Sequence, residues 1–318
     1  MTNGASDALS QRLTNRYRAA MDEQGGARDD RASPGVEIMK SLGIAVARTA
    51  CIVALAASAA AGRAATEHEQ NVGAQIEQLC DARTLAAVGR ALQVANFKEP
   101  ALGHEPDASA MVAASACRAA PAYGGRLAAV VYRSGHQDDQ LLFIGVLDAA
   151  GNASATFKGA LDSDPAVKIV SGSLWLDTAA YDLAPGVRAF GLDITTGLPR
   201  GCAGAGSGAR RSLFVSQGRF IRPVLQDLAM SEWALIQRGK SACTDSGAPD
   251  LTITENFNAK LAVAPTSTRG WRDLVVTGTA SRDDGHLDER PPFREVLKWD
   301  GKVYSTGAQQ QAWTTWRQ

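Results

Sequence analysis

Apolar, β-favouring runs separated by short polar turns fill the chain from residue 124 onwards. The runs at 126–133 and 140–148 are rich in Val, Leu, Ile, Phe and Tyr, and another run, 153–161, follows the second after four residues. A Pro185-Gly186 turn divides the later stretch 181–194. Strands joined by short turns, with no helix-length segment between them, pair antiparallel. The sequence therefore predicts a mainly β protein, an antiparallel sandwich or meander in one or two units.

The second half of the chain continues the same pattern. Further apolar runs stand at 212–215, 220–225, 233–238, 251–257, 260–264 and 271–279. The clearest turn is Asp300-Gly301, a dipeptide typical of type I′ hairpins, and it predicts that Trp299 pairs with Lys302. The Gly-rich stretch 199–211 is interpreted as a linker loop. It divides a first β unit, 124–198, from a second, 212–318.

The segment before these strands, 65–123, has a different character. From 66 to 96 it is rich in Ala, Gln, Glu, Leu and Arg, and apolar residues recur at near-helical spacing. Four prolines and glycines interrupt 97–123, which indicates a loop with a short helical piece at 108–117. A short helical segment is therefore expected to precede the β units.

An export signal is predicted at 39–64. Lys40 and Arg48 supply positive charge, 49–57 is apolar, and 58–64 consists mainly of small residues, which is the order that signal peptidase substrates show. The apolar run is too short to span a bilayer, so no integral membrane span is expected in the mature form. The polar residues 1–38 are expected to be disordered or not translated. Three explanations of these residues are open: translation that starts at Met39, an unusually long n-region of the signal, or a cytoplasmic tail on a signal anchor. The mature protein is expected to be periplasmic or secreted.

The cysteines fit an oxidising compartment. Of five cysteines, Cys51 lies within the predicted signal, which leaves Cys80, Cys117, Cys202 and Cys243. Four cysteines allow three pairings, and we favour Cys80–Cys117 with Cys202–Cys243. Each closes a loop of about forty residues, for which chain entropy predicts roughly 3–4 kcal/mol of stabilisation. Zinc is the rival interpretation, but no C-x-x-C spacing and no nearby His supports it.

Several segments of the chain resemble segments of uncharacterised exported bacterial β-rich proteins. They are YDLAPGVRAFG at 181–191, SLFVSQGRFIRPVL at 212–225, and WRDLVVTGTA at 271–280 followed by KWDGKVY at 298–304. The D-L-V-V run with the later W-D-G-x-x-Y is also similar to FG-GAP-type secreted β repeats. This resemblance implies export and β structure, and it carries no catalytic residues.

Few residues of the sequence are candidates for a catalytic or metal-binding role. The formal net charge is zero, which does not favour nucleic acid as a partner. One candidate metal site groups Asp283, Asp284, His286 and Asp288, although solvated charge in a polar loop is the ordinary interpretation. Asp138 and Asp139 follow His136 in another polar stretch. No cofactor is indicated.

Four of the six tryptophans lie in the last fifty residues. Trp271 and Trp299 stand in predicted strands and are expected in the core. Trp313 and Trp316 stand in a polar C-terminal tail, where they are expected either to pack back on the sheet or to face a partner. Exposed aromatic rings there would suit a protein or glycan partner.

Export, cysteines and β pattern together suggest a non-enzymatic protein that binds a macromolecular partner in the periplasm or outside the cell. One alternative is an exported hydrolase that uses loop carboxylates, Asp138 and Asp139 with Asp283 and Asp284. Another is a glycan-binding module that uses the C-terminal aromatics.

Overall fold

A computed structural model describes residues 78–95, 97–101, 111–133, 140–161, 169–196, 205–237, 252–286 and 290–317. The described chain is mainly β, with two sheets and short helices, which confirms the predicted β class. The predicted signal at 39–64, Cys202 and Cys243 lie outside the described residues.

Thirteen strands, two α-helices and one 3₁₀ helix (Pro121–Tyr123) make up the described fold. The α-helices are α1 (Ala82–Leu92) and α2 (Gly307–Arg317). The strands of the first half are β1 (Val112–Ala120), β2 (Gly125–Arg133), β3 (Gln140–Leu147), β4 (Ala153–Leu161), β5 (Leu174–Ala184) and β6 (Val187–Thr195). Those of the second half are β7 (Ala205–Ser207), β8 (Ala209–Gln217), β9 (Phe220–Ala229), β10 (Ser231–Gln237), β11 (Ile253–Thr268), β12 (Trp271–Arg282) and β13 (Phe293–Leu297).

The larger sheet is almost closed. It has eight strands in the order β1-β2-β3-β4-β9-β8-β6-β5, antiparallel throughout except where β4 meets β9 at Thr156 and Phe220. The two four-stranded halves face each other across a first core, to which both contribute large side chains such as Leu142, Ile144, Phe190 and Phe214. Burial of this apolar surface is the main force that holds the halves together.

Two further cores cover the outside of this sheet. Leu85 and Val88 of α1, with Phe97, pack on the outer face of β1–β3. Strands β2 and β3 are therefore buried on both faces, which explains their nearly continuous apolar sequences. The smaller sheet, in the order β13-β12-β11-β10-β7, packs on β5, β6, β8 and β9 through a second core that also receives Trp313 of α2.

The sheets divide the chain differently from the two units predicted from the sequence. Strands β8 and β9 follow the Gly-rich stretch yet belong to the larger sheet, beside β6. Residues 205–207 of the predicted linker form β7, where Gly206 lies against the Trp233 ring and a side chain would collide with it. Sheet membership does not define domains, and the predicted domain bounds stay a prediction.

Two local predictions were wrong. Residues 112–117 form part of β1 and not a helix, because pairing with β2 and burial of its small side chains outweigh the helical preference of alanine. Trp299 pairs with Tyr304 and not with Lys302. The Asp300 carboxylate accepts hydrogen bonds from the Lys302 and Val303 N–H groups, at 2.7 and 2.8 Å, and so stabilises a four-residue loop.

The edge strands β1 and β5 of the larger sheet lie side by side, and side chains bridge them. Gln78 is buried and pairs twice with the backbone of Leu176 in β5, donating from Nε2 to the carbonyl (3.1 Å) and accepting at Oε1 from the N–H (2.8 Å). Arg118 of β1 donates to the same carbonyl at 3.1 Å. The disulfide between Cys80 and Cys117, at an S–S distance of 2.06 Å, ties the Gln78 segment to β1. This bond is one of the two pairs that the sequential scheme predicts.

Glu99 also lies at this junction. Its carboxylate accepts hydrogen bonds from the Ser115 N–H (2.9 Å), from the Ser115 hydroxyl, and from the Ser171 hydroxyl (2.8 Å). Burial raises the pKa of Glu99 above its ordinary value, and the hydrogen bonds from both serines oppose this shift only in part. The folded state therefore binds the Glu99 proton more tightly than the unfolded state does.

The raised pKa of Glu99 predicts a pH-dependent cost of ionising it. The stabilising contribution of protonated Glu99 is fully present below the ordinary pKa of 4.5 and is lost as pH rises through the folded-state pKa. Glu99→Gln does not titrate, so the variant should gain in unfolding free energy relative to wild type as pH rises from below 4.5 through the raised folded-state pKa of Glu99. Urea unfolding of both proteins at each pH measures this difference. A difference that stays constant with pH would contradict the assignment.

Candidate interaction surface

Phe220 is the most exposed large hydrophobic side chain among the described residues. It is 66% exposed, and Ile236, at 47%, is the other large apolar residue so placed. Phe220 begins β9 and pairs with Gln217 across the two-residue turn Gly218-Arg219, in which Gly218 has a φ of 60°. Its neighbour Ile221 points into the first core. Phe220 therefore points to the outer face, beyond the end of the second core.

Arg222 lies on the same face of β9 as Phe220, because strand side chains alternate. It pairs with Val215, which belongs to the second core. Its Nε donates to Gln217 Oε1 at 2.8 Å, and its Nη1 donates to the Lys302 carbonyl at 3.2 Å. The guanidinium is therefore held in place from two sides.

A stacked pair of tryptophans stands beside Arg222. The Trp271 and Trp299 rings are 4.0 Å apart and nearly parallel, at 5°. Trp299 is only 4% exposed, whereas Trp271 is half-buried. Since Trp299 covers one face of Trp271, the accessible part of Trp271 is its other face and its edges. Tyr304 supports the pair at 5.1 Å from Trp299, and its hydroxyl donates to the Arg272 carbonyl at 2.6 Å.

The Arg222 guanidinium carbon is almost equidistant from the two rings, at 5.7 Å from Trp271 and 5.8 Å from Trp299. It therefore lies beside the stack, within range of both π systems. We call Phe220, Arg222, Trp271 and Trp299 the aromatic–arginine surface. Exposed aromatic side chains with an ordered arginine are the residue types that dominate protein interfaces.

The charge of Arg222 is poorly compensated. Burial lowers the pKa of its guanidinium below the ordinary value. Both of its hydrogen-bond acceptors are neutral oxygens, and no carboxylate among the described residues pairs with it. Nearby Lys302 and Arg219 are exposed cations. The surface thus combines an exposed apolar ring with positive charge.

The structure shows that Trp313 takes the first of its two predicted alternatives and packs back on the sheet. The predicted polar tail is helix α2, and Trp313 is 1% exposed, with its Nε1 donating to Glu232 Oε2 at 2.7 Å. This burial does not fit a contact role for Trp313, because Phe257 and Phe293 enclose its ring. Trp316 is half-buried and donates to the Pro291 carbonyl at 2.8 Å. Its predicted role in partner contact stays a prediction.

The predicted acidic cluster is only partly described. Asp284 pairs with Arg282 at 2.6 Å, and Asp283 accepts from Asn256 Nδ2 at 2.8 Å. His286 donates its backbone N–H to Asp284 at 3.2 Å. Asp288, like Asp138 and Asp139, lies outside the described residues. Within the described ranges, no three His, Cys, Asp or Glu side chains are grouped so as to hold a metal ion.

Sequence analysis did not identify Phe220 or Arg222 as candidates. The run FIRPVL places Phe220 next to Ile221, and strand alternation lets only one of them face the first core. Which one is exposed depends on the register with β8 and on where the smaller sheet ends. Two large apolar residues in succession directly after a turn are the sequence feature that could have indicated an exposed apolar side chain here.

Comparison of the chain with family models, with curated proteins and with solved structures gave no match. Across the described ranges, no helix combines the length and the apolar composition that crossing a bilayer demands. What the chain does must therefore be argued from its own residues.

Proposed function

We propose that this chain is an exported, disulfide-containing β protein without catalytic activity, which binds a macromolecular partner in the periplasm or outside the cell. The signal at 39–64 supports export, and the Cys80–Cys117 disulfide is compatible with an oxidising compartment. The aromatic–arginine surface supports binding. The observation that carries the proposal is the 66% exposure of Phe220 beside an ordered arginine.

Exposing a phenylalanine ring costs hydrophobic free energy that a partner would recover. Full burial of such a side chain contributes about 1.5–3 kcal/mol. The scaffold around it is rigid, because β8 and β9 pair along their length and Arg222 is tied to Gln217 and Lys302. A partner therefore meets a pre-ordered surface, which lowers the entropy cost of association.

Phe220→Ser is the variant that tests this proposal, with Ile236→Ser as its matched control. Both change one exposed apolar side chain to a small polar one, and neither should alter unfolding free energy by more than about 0.5 kcal/mol. Immobilised wild type, Phe220→Ser and Ile236→Ser are incubated with periplasmic extract and with culture medium, and the retained macromolecules are quantified. We expect a species that wild type and Ile236→Ser retain and that Phe220→Ser binds at least about tenfold more weakly.

Equal retention of all species by the three proteins would contradict the proposal, because binding would then not depend on the surface. Melting temperatures measured in parallel show that loss of binding does not come from loss of folding.

A further inference from the structure

We infer that the partner of the aromatic–arginine surface is a protein whose extended segment places an Asp or Glu carboxylate on Arg222 and an apolar side chain against Phe220. This inference rests on the proposed function and names the chemistry of the partner.

Arg222 differs from five other partly buried arginines in how its charge is paired. Five arginines have side chains 12–26% exposed, and each pairs with a carboxylate: Arg210, Arg211, Arg282, Arg290 and Arg317. Arg222 is also half-buried, but its partners are an amide oxygen and a backbone carbonyl. The two hydrogen bonds of Arg222 lie at the exposed side of the guanidinium, so a partner can reach it. A carboxylate of the partner would give Arg222 the kind of pairing that the other five arginines have within the chain.

Arg222 still has N–H donors with which to bind an anion. A guanidinium has five N–H donors, and two are used for Gln217 and Lys302, which leaves three. Its position beside the Trp271–Trp299 stack and its two hydrogen bonds limit its rotamers before binding. A carboxylate meeting it would form charge-assisted hydrogen bonds, which are stronger than neutral ones.

The distance between Phe220 and Arg222 sets the spacing in the partner. The two residues lie two positions apart on one face of β9, so their side chains are separated by about 7 Å. The same distance separates side chains i and i+2 of an extended peptide. For a segment that runs parallel to β9, a large apolar residue followed two positions later by an acidic one matches both sites.

The exposed Phe220 ring also favours protein over anionic glycan. Its burial yields hydrophobic free energy against apolar groups, which an aliphatic side chain presents more fully than a polyhydroxylated sugar. The cations Arg219 and Lys302 lie close in sequence to the surface residues and are exposed. They would raise the rate at which an acidic segment meets the surface.

The test uses two synthetic peptides, GSLTEGS and GSLTQGS, both N-acetylated and C-amidated so that only the glutamate carries a charge. It observes the tryptophan indole N–H signals of the processed protein by NMR. We expect GSLTEGS to move the Trp271 signal and to saturate at a concentration at least about tenfold lower than GSLTQGS does. High salt should weaken this preference. Arg222→Gln should abolish it, Arg222→Lys should retain part of it, and Arg294→Gln, at an exposed arginine of β13, should leave it unchanged.

Equal binding of the two peptides, no response to GSLTEGS at millimolar concentration, or an unchanged preference in Arg222→Gln would each overturn the inference. A heparin-derived hexasaccharide is titrated alongside. If only the hexasaccharide moves the Trp271 signal, and Arg222→Gln abolishes that response, then Arg222 binds an anionic glycan. The inference that the partner is a protein would then be wrong. Phe220-dependent capture that persists in Arg222→Gln would leave the proposed function standing while this inference fails.

Discussion

Trp313→Ala is expected to lower the free energy of unfolding by about 3–5 kcal/mol, the range for truncating a fully buried aromatic residue. Trp313 is 1% exposed, and its ring lies 5.0 Å from Phe293 and 6.4 Å from Phe257. Its indole N–H is hydrogen-bonded to Glu232, which also pairs with Arg317 at 2.9 Å. The alanine variant would therefore leave a cavity and remove one of the bonds that attach α2 to the smaller sheet. Urea unfolding of the purified protein measures the loss.

Two further variants show whether the loss arises from this particular site. Gly278 of β12 provides the slot for the Trp313 ring, and a Cβ there would overlap the ring and approach Phe293 Cβ to 3.2 Å. Gly278→Ala should therefore destabilise the protein, and adding Trp313→Phe should restore part of the stability. Trp316→Ala, at a half-buried ring, should cost less than Trp313→Ala. A Trp313→Ala variant within about 1 kcal/mol of wild type would show that the ring is not packed as described.

Loss of the Cys80–Cys117 bond should have an effect of similar size. The bond joins residues 37 positions apart, and chain entropy predicts a stabilisation of about 4 kcal/mol for a loop of this length. It also ties the Gln78 segment to β1, so its removal should loosen the junction of β1 with β5. The double variant Cys80→Ser, Cys117→Ser, compared with wild type in urea without reductant, measures this contribution.

Reductant supplies the control for that comparison. Wild type should lose about 4 kcal/mol or more when reduced. The double variant should respond to reductant only to the extent that Cys202 and Cys243 are also bonded. Wild type that unfolds at the same urea concentration with and without reductant would contradict a disulfide in the native protein.

The sequence predicted those strands whose pattern is set locally. The prediction for β4 has the observed bounds, and those for β2 and β3 differ by one residue at one end, because apolar runs between short turns identify buried strands. Strand β1 escaped prediction because VAASACRAA has helix-favouring residues, and only its pairing with β2 makes it a strand. Local preference is a weak guide where tertiary contacts decide.

The candidate surface could not be predicted for a related reason. Arg222 and Trp271 are 49 positions apart in the sequence and meet only because the smaller sheet packs on β9. The exposure of Phe220 likewise depends on register and on the extent of that sheet. A tryptophan in a polar stretch left both packing on the sheet and contact with a partner open for Trp313, and only the fold of α2 shows that the ring turns inward. Such placements follow from packing between segments that are distant in the sequence. The periodicity of the sequence carries no information about that packing.

We propose that the chain acts outside the cytoplasm as a processed, disulfide-linked binding protein, because its partner is expected there. The most direct test of this proposal is the intact mass of the native protein recovered from cells, with and without reduction. We predict a chain that begins between residues 60 and 66 and gains about 4 Da on reduction, as two disulfides require. A full-length chain whose mass does not change on reduction would contradict this proposal. The cysteines would then have to be considered for metal binding, for redox chemistry or for a role in the cytoplasm.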